Sequence, residues 1–319
     1  MIEALLQRAA RNVLTSFVPI AKGNRLRIFY DDGRSRLASA LGRAAEHLSV
    51  PVILTDLARQ VDVEGLRSVL TCAEPADVII STFSWAFLSG FPGRFLFPPF
   101  VSPPGFSGRS AHIRPRIPEE PLLRMLCDDL HSIRSRVVSA MDLSRHGWLR
   151  VSSPAGTDLV FATRDFHVIP FEAHPHAFLP AAEVYTALSP GSAQGKVVVD
   201  LTVGEFVYEG DLWDPLGVVD CPVQLTVRDG RIIGVDGGDI ARRLAKLLGD
   251  CPPSCAEVVE LGIGLSAGEQ TGHIGADECL AGTCHFGIGD AVFYGGDNRA
   301  PIHLDVVVDA PRIEPFHPR

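Results

Sequence analysis

The chain has 319 residues, 46% of them apolar and 21% charged, with a formal net charge of −9. That composition belongs to a globular protein long enough for two domains, and it excludes a disordered or low-complexity chain. The negative balance disfavours a phosphate-backbone partner, and no apolar run reaches the ~18 residues of a membrane span. The expectation is a cytoplasmic protein that binds neither nucleic acid nor membrane.

The first twenty residues, MIEALLQRAARNVLTSFVPI, place apolar side chains at helical spacing. They lack an apolar core followed by a small-residue cleavage site, so they read as a helix and not a signal peptide. Arg25–Tyr30 reads as a strand that ends at Asp31-Asp32-Gly33. A helix over Ser35–Leu48, a strand over Pro51–Thr55, a short helix over Val61–Leu70 and a strand over Asp77–Ser81 follow. Continuous apolar strands alternating with helices predict a small parallel sheet covered on both faces. No G-x-G-x-x-G follows the first strand, which argues against a dinucleotide site.

From 91 to 121 the chain is rich in Pro, Gly, Arg and Phe and has no period. Such a stretch is either a linker or a functional loop, and its phenylalanines are expected to be packed over something. A role in covering a neighbouring subunit's site makes a homodimer the expected assembly. A helix from Glu119 to Met141 then closes a first domain, 1–145.

The second domain, 146–319, opens with WLRVSSPAGTDLVF, two alternating strands around a Pro154–Thr157 turn. Short strands follow at ~8–12-residue spacing, with an Arg228-Asp229-Gly230-Arg231 turn and a helix over Asp239–Leu248. The fold class is therefore α/β: a small parallel N-terminal domain followed by a curved, mainly antiparallel α+β domain. The seven cysteines are odd in number and irregularly spaced, as suits reduced thiols. Cys251/Cys255 and Cys279/Cys284 make only a weak case for zinc.

The most informative stretch runs from Glu260 to Asp305. His303 and Asp305 are two apart, so on a strand they share a face. His285 lies in a second alternating segment, GTCHFGIGD, with Cys284 facing the other way. Two imidazoles and a carboxylate are a competent donor set for a divalent metal. Chance HxD pairs are frequent, so packing histidines are the competing reading. Ten glycines within the stretch, among them Gly262, Gly264, Gly287 and Gly289, favour turns and close approaches around a site over an ordinary core.

The segments SSPAGTDLVF, LPAAEVYTA, ELGIGLSAG, DE-x3-GTCHFGIGD and IHLDVVV, spread over about 148–310 in that order, resemble the M29 family of metallo-aminopeptidases. They are also similar to a relative of that family, the iron-dependent 2,5-dihydroxypyridine 5,6-dioxygenase. The resemblance implies that Glu183, Glu260, His285, His303 and Asp305 are metal ligands. In the peptidases such ligands hold two divalent ions, here Zn, Co or Mn, and an activated water. It further implies catalytic roles for Glu183, Glu260 and Tyr294, the last being the phenol nearest the place of the family's tyrosine. The chain departs from the pattern at Cys279, where the family carries Lys. The implied activity is removal of N-terminal residues from a peptide or other small substrate. Two alternatives stand beside it: a mononuclear Fe(II) ring-cleaving dioxygenase using His285, His303 and Asp305, and a non-catalytic peptide-binding relative.

Overall fold

The computed structural model describes residues 2–57, 74, 76–88, 108–208, 211–213 and 215–318. The expected helix over Val61–Leu70 and the aromatic part of the loop, up to residue 107, lie outside the described residues. The chain divides into two compact units, Met1–His131 with Ile169–Ala181, and Ser132–Val168 with Ala182–Arg319.

The first unit holds a five-stranded, all-parallel sheet. Its strands are β1 (Arg25–Tyr30), β2 (Val52–Asp56), β3 (Asp77–Thr82), β4 (Arg109–Ile113) and β7 (His176–Leu179), in the order β2-β1-β3-β4-β7. The central strand β3 is buried at every position, as its continuous apolar run demands. Helix α1 (Ile2–Asn12) buries Leu6, Ala9 and Ala10, and α2 (Ser35–His47) buries Leu37, Ala38, Leu41 and Ala45, one stripe at helical period. The turn between β1 and α2 is tied to the end of β3: the Asp31 carboxylate accepts from the Gly33 N–H at 3.0 Å and the Ser84 N–H at 2.7 Å. Arg34 is buried, and its guanidinium donates to the carbonyls of Phe83, Pro115 and Ile117, which offsets the desolvation of that charge.

Three features of this unit differ from the sequence reading. Strand β4, RSAHI, lies inside the stretch expected to be loop. Its alternation is short, and the Pro and Gly around it mask the pattern. The predicted helix from Glu119 to Met141 is two helices, α3 (Glu119–Leu126) of this unit and α4 (Leu130–Asp142), which from Ser132 on belongs to the second unit, so the first stretch ends at His131 and not at 145. The break has a cause: the Asn12 amide donates to the carbonyls of Leu126 and Asp128 at 2.8 and 2.9 Å, taking acceptors at the end of α3. Finally, Ile169–Ala181, read as part of 146–319, belongs to the first unit because β7 pairs in parallel with β4.

The second unit is built on a curled 13-stranded sheet. Its strands are β5 (Trp148–Ser152), β6 (Asp158–Val168), β8 (Glu183–Leu188), β9 (Gln194–Val199), β10 (Thr202–Tyr208), β11 (Asp211–Trp213) and β12 (Gly217–Val218). The remainder are β13 (Val223–Arg228), β14 (Arg231–Asp236), β15 (Val258–Gly264), β16 (Thr283–Gly289), β17 (Ile302–Asp309) and β18 (Arg312–Pro315). Every pairing among them is antiparallel. The β13–β14 turn carries Asp229 and Gly230 at φ 50° and 79°, the left-handed pair a two-residue hairpin requires. Helix α5 (Asp239–Asp250) buries Ile240, Ala241 and Leu244. No helix among the described residues is long and apolar enough to cross a membrane.

The centre of this sheet runs β10-β17-β16-β15-β8-β6. One face of these strands is apolar: Cys284, Phe286 and Ile288 of β16 and Leu304 and Val306 of β17 are fully buried. Phe286 meets Phe161 of β6 edge-to-face at 6.0 Å. The opposite face carries most of the polar residues.

Candidate metal centre

Strand alternation and register together place five polar side chains on that opposite face. Directly opposite residues of an antiparallel pair share a face. Along β17, His303 and Asp305 lie opposite Gly289 and Gly287 of β16. His285 of β16 lies opposite Gly262 of β15, and Gly287 opposite Glu260. Gly262 and Gly264 in turn lie opposite Tyr185 and Glu183 of β8. A register shift between Val258 and Glu260 marks a bulge just before Glu260, a device common beside sites. Glu183, Glu260, His285, His303 and Asp305 thus come from four neighbouring strands.

The glycines between them are a steric requirement. A Cβ on Gly262 would lie 2.1 Å from His285 Cε1 and 2.3 Å from Glu183 Oε2. A Cβ on Gly287 would lie 2.7 Å from Glu260 Oε2 and 2.8 Å from His303 Cε1. The side chains of adjacent strands fold over these positions, so the glycine density of the sequence is a cradle for them.

All five groups are buried, with 8, 1, 3, 7 and 4% exposure in chain order. His285 Nε2 approaches Glu183 Oε2 at 2.9 Å, and His303 Nε2 lies 3.2 Å from Asp305 Oδ1 and 3.4 Å from Glu260 Oε2. Yet Glu183 Oε2, both Glu260 oxygens, His285 Nδ1, His303 Nε2 and Asp305 Oδ1 have no hydrogen-bond partner among the described residues. Three buried carboxylates without such partners are costly unless a cation joins them. A divalent metal fits this donor set of oxygens and imidazole nitrogens.

The ligand atoms fall into two groups, Glu183–Glu260–His285 and Glu260–His303–Asp305, each within 4.8 Å. Glu260 belongs to both. His285, His303 and Asp305, the face expected for a single iron, do not by themselves form such a group among the described residues.

The electrostatics follow from burial and crowding. Burial pushes the Glu260 carboxyl well above the usual carboxylate range; His303 opposes this, and Glu183 and Asp305 reinforce it. Burial pulls both imidazoles down, but the carboxylates outweigh it: Glu183 above all holds His285 well above its ordinary value, and Asp305 above all holds His303 at about 10. Without a metal, protons on the imidazoles supply the compensating charge; a cation that binds here displaces them.

Tyr294, on a short turn over Val292–Tyr294, stacks on the His303 ring at 4.8 Å and 29°. Burial and the surrounding carboxylates raise its phenol pKa, so it stays a neutral donor. Two neighbours carried no signal that the sequence reading used. Asp290 accepts from His303 Nδ1 through its carbonyl at 2.7 Å, which leaves Nε2 facing the carboxylates. Tyr185 sits two residues from Glu183 on β8, and its ring meets Tyr294 edge-on at 5.4 Å. The i, i+2 spacing from Glu183 was its available signal. Cys279, where the resemblance expects Lys, is buried with its thiol donating to the Gly275 carbonyl at 3.4 Å. Burial pushes the Cys284 thiol far up, as befits a core residue.

A parallel α/β unit and a curled antiparallel sheet carrying a carboxylate–imidazole centre define a class of metal-using enzyme fold. The chain belongs to the NicX family, described as 2,5-dihydroxypyridine 5,6-dioxygenase, whose family model matches residues 116–314. Among solved structures it is similar to the 2,5-dihydroxypyridine dioxygenase from Pseudomonas putida KT2440, with TM-score 0.68 at 18% identity over 98% of this chain and 94% of that one. It is also similar to wild-type AmpT from Thermus thermophilus, with TM-score 0.59 at 16% identity over 98% and 95% of the two chains. At such identities both likenesses are of fold. No curated protein sequence matches the chain.

Proposed function

We propose that the protein is a two-ion metallohydrolase of the aminopeptidase type, removing the N-terminal residue of short unblocked peptides. The observation that carries this reading is Glu260, buried and shared between two separate ligand groups. A single iron on two imidazoles and one carboxylate needs neither Glu260 nor Glu183. When bound, two divalent ions would supply an activated water and a Lewis acid for the peptide carbonyl. Glu183 and His285 would hold one, His303 and Asp305 the other, with Glu260 common to both. The three carboxylates offset all but one charge of two divalent ions, leaving a centre suited to a carbonyl oxygen and a neutral amine. Tyr294, neutral and stacked on His303, is placed to donate to an oxygen that gains charge.

The test is metal content per chain together with release of the first residue from free-amine and N-acetylated dipeptides. About two ions, and turnover lost on acetylation, are expected. One ion per chain, or two with no turnover of any free-amine peptide, overturns the reading.

The family match favours a second reading, a ring-cleaving dioxygenase that uses Fe(II). Its mark would be one iron per chain and O2 uptake with a dihydroxylated pyridine, and no release of amino acids.

A further inference from the structure

We infer that Tyr185 is a substrate-contacting residue of this centre, forming one wall together with Tyr294, and a hydrogen-bond donor to the bound molecule. The inference rests on the metal-centre reading above. Three observations carry it. Alternation along β8 puts Tyr185 on the same face as Glu183, and register sets it opposite Gly262, which lies opposite His285. Between Tyr185 and His285 there is thus a residue with no side chain, and the space above it is taken by ligand atoms.

Second, the rings form a continuous series. Exposed His167 of β6 packs on Tyr185 at 5.4 Å, Tyr185 meets Tyr294 at 5.4 Å, and Tyr294 stacks on His303 at 4.8 Å. The series runs from an exposed side chain to a ligand imidazole, and Tyr185 occupies its half-buried middle. Third, neither phenol is hydrogen-bonded to a described residue, and neither hydroxyl is among the buried polar atoms left without a partner, so both are accessible. Two accessible phenols in ring contact beside the candidate ligands are available to a bound molecule.

The test uses full-length protein loaded with Zn2+ and phenylalanine hydroxamate, a probe whose chelating end binds an open metal site whichever reaction the centre performs. Calorimetry gives its affinity for wild type, Tyr185→Phe and Tyr185→Ala, with zinc content and Tm measured alongside. The Phe variant loses only the hydroxyl. It is expected to keep its zinc and Tm while binding the probe roughly 3- to 10-fold more weakly, the worth of one hydrogen bond. The Ala variant, which also loses the wall, is expected to bind more weakly still. Affinity unchanged in both variants overturns the inference and leaves the metal centre standing. Zinc-free wild type, or zinc-loaded wild type that ignores the probe, overturns the centre as an open ligand site and the inference with it. Loss of zinc in the Phe variant overturns it too, because Tyr185 would then support the ligands and not the substrate.

Discussion

His303 donates its Nδ1 proton to the carbonyl of Asp290 at 2.7 Å, and this bond decides which nitrogen faces Glu260 and Asp305. The same Asp290 carboxylate accepts from the N–H groups of Val292 and Ala300. The imidazole and the turn that carries Tyr294 are therefore referred to one residue.

The two ligand groups predict separable losses. His303→Ala removes a ligand from Glu260–His303–Asp305 and none from Glu183–Glu260–His285. Metal content is expected to fall from about two ions per chain to about one, with the apo protein still folded. Glu260→Gln touches both groups and is expected to empty the site. Elemental analysis after dialysis reads both; equal losses in the two variants would contradict a shared Glu260.

Glycine substitutions separate site from fold. At Gly262 an added Cβ meets side-chain atoms of His285 and Glu183, whereas at Gly264 it meets the Leu280 carbonyl oxygen at 2.0 Å. Gly262→Ala is expected to lose metal affinity by 10-fold or more while the apo protein remains folded. Gly264→Ala forces backbone apart and is expected to cost about 1–3 kcal/mol, as overpacking does. Metal titration and urea unfolding of the apo proteins distinguish them.

His112 makes a prediction about pH. It is buried on β4 with Ser81 Oγ 2.8 Å from its Nδ1, and burial holds its pKa down to about 4. The folded value lies below the unfolded value of ~6.5, so the unfolded chain binds more protons between the two. The contribution is present above pH ~6.5 and is lost as pH falls towards 4. Between pH 7.5 and 5.5 this one group is expected to cost about 1.4 kcal/mol. His112→Gln should lack that component, seen as a smaller shift of the urea midpoint than in wild type.

Arg164 bears on the turn beside His303. It donates to the Gly295 carbonyl at 3.2 Å and pairs with Asp297, spanning from β6 to the segment after Tyr294. Arg164→Ala is expected to speed amide hydrogen exchange over 291–298 while leaving the β15–β17 strands protected. Turnover should fall chiefly through kcat if Tyr294 acts on the reacting oxygen; unchanged exchange would show that the segment holds itself.

Much of the centre could be read from sequence because its ligands sit on regular strands. Period-two spacing put His303 and Asp305 on one face without knowledge of the fold, and the glycines of ELGIGLSAG and GTCHFGIG announced close approaches. The grouping could not be read. That Glu260 is shared depends on the register of β15 against β16 and on a bulge, both set by long-range pairing. Tyr185 is not legible in the sequence because an aromatic in a strand is what packing alone would select. The break between α3 and α4 is not legible either, because its cause, Asn12, lies more than a hundred residues away.

The five candidate ligands occupy β8, β15, β16 and β17, four strands hydrogen-bonded in series. Their mutual positions are inherited from the ladder, and two of the segments joining those strands add to it: 189–257 carries β10, which pairs with β17, and 290–301 carries Asp290 and Tyr294, which touch His303. Between β8 and β15 the return takes residues 189–257, with six strands and a helix of its own. Inserting a single residue within any of the four strands turns the following side chain to the opposite face. The register of four strands, and not the shape of any one loop, is therefore what keeps the five side chains on one face.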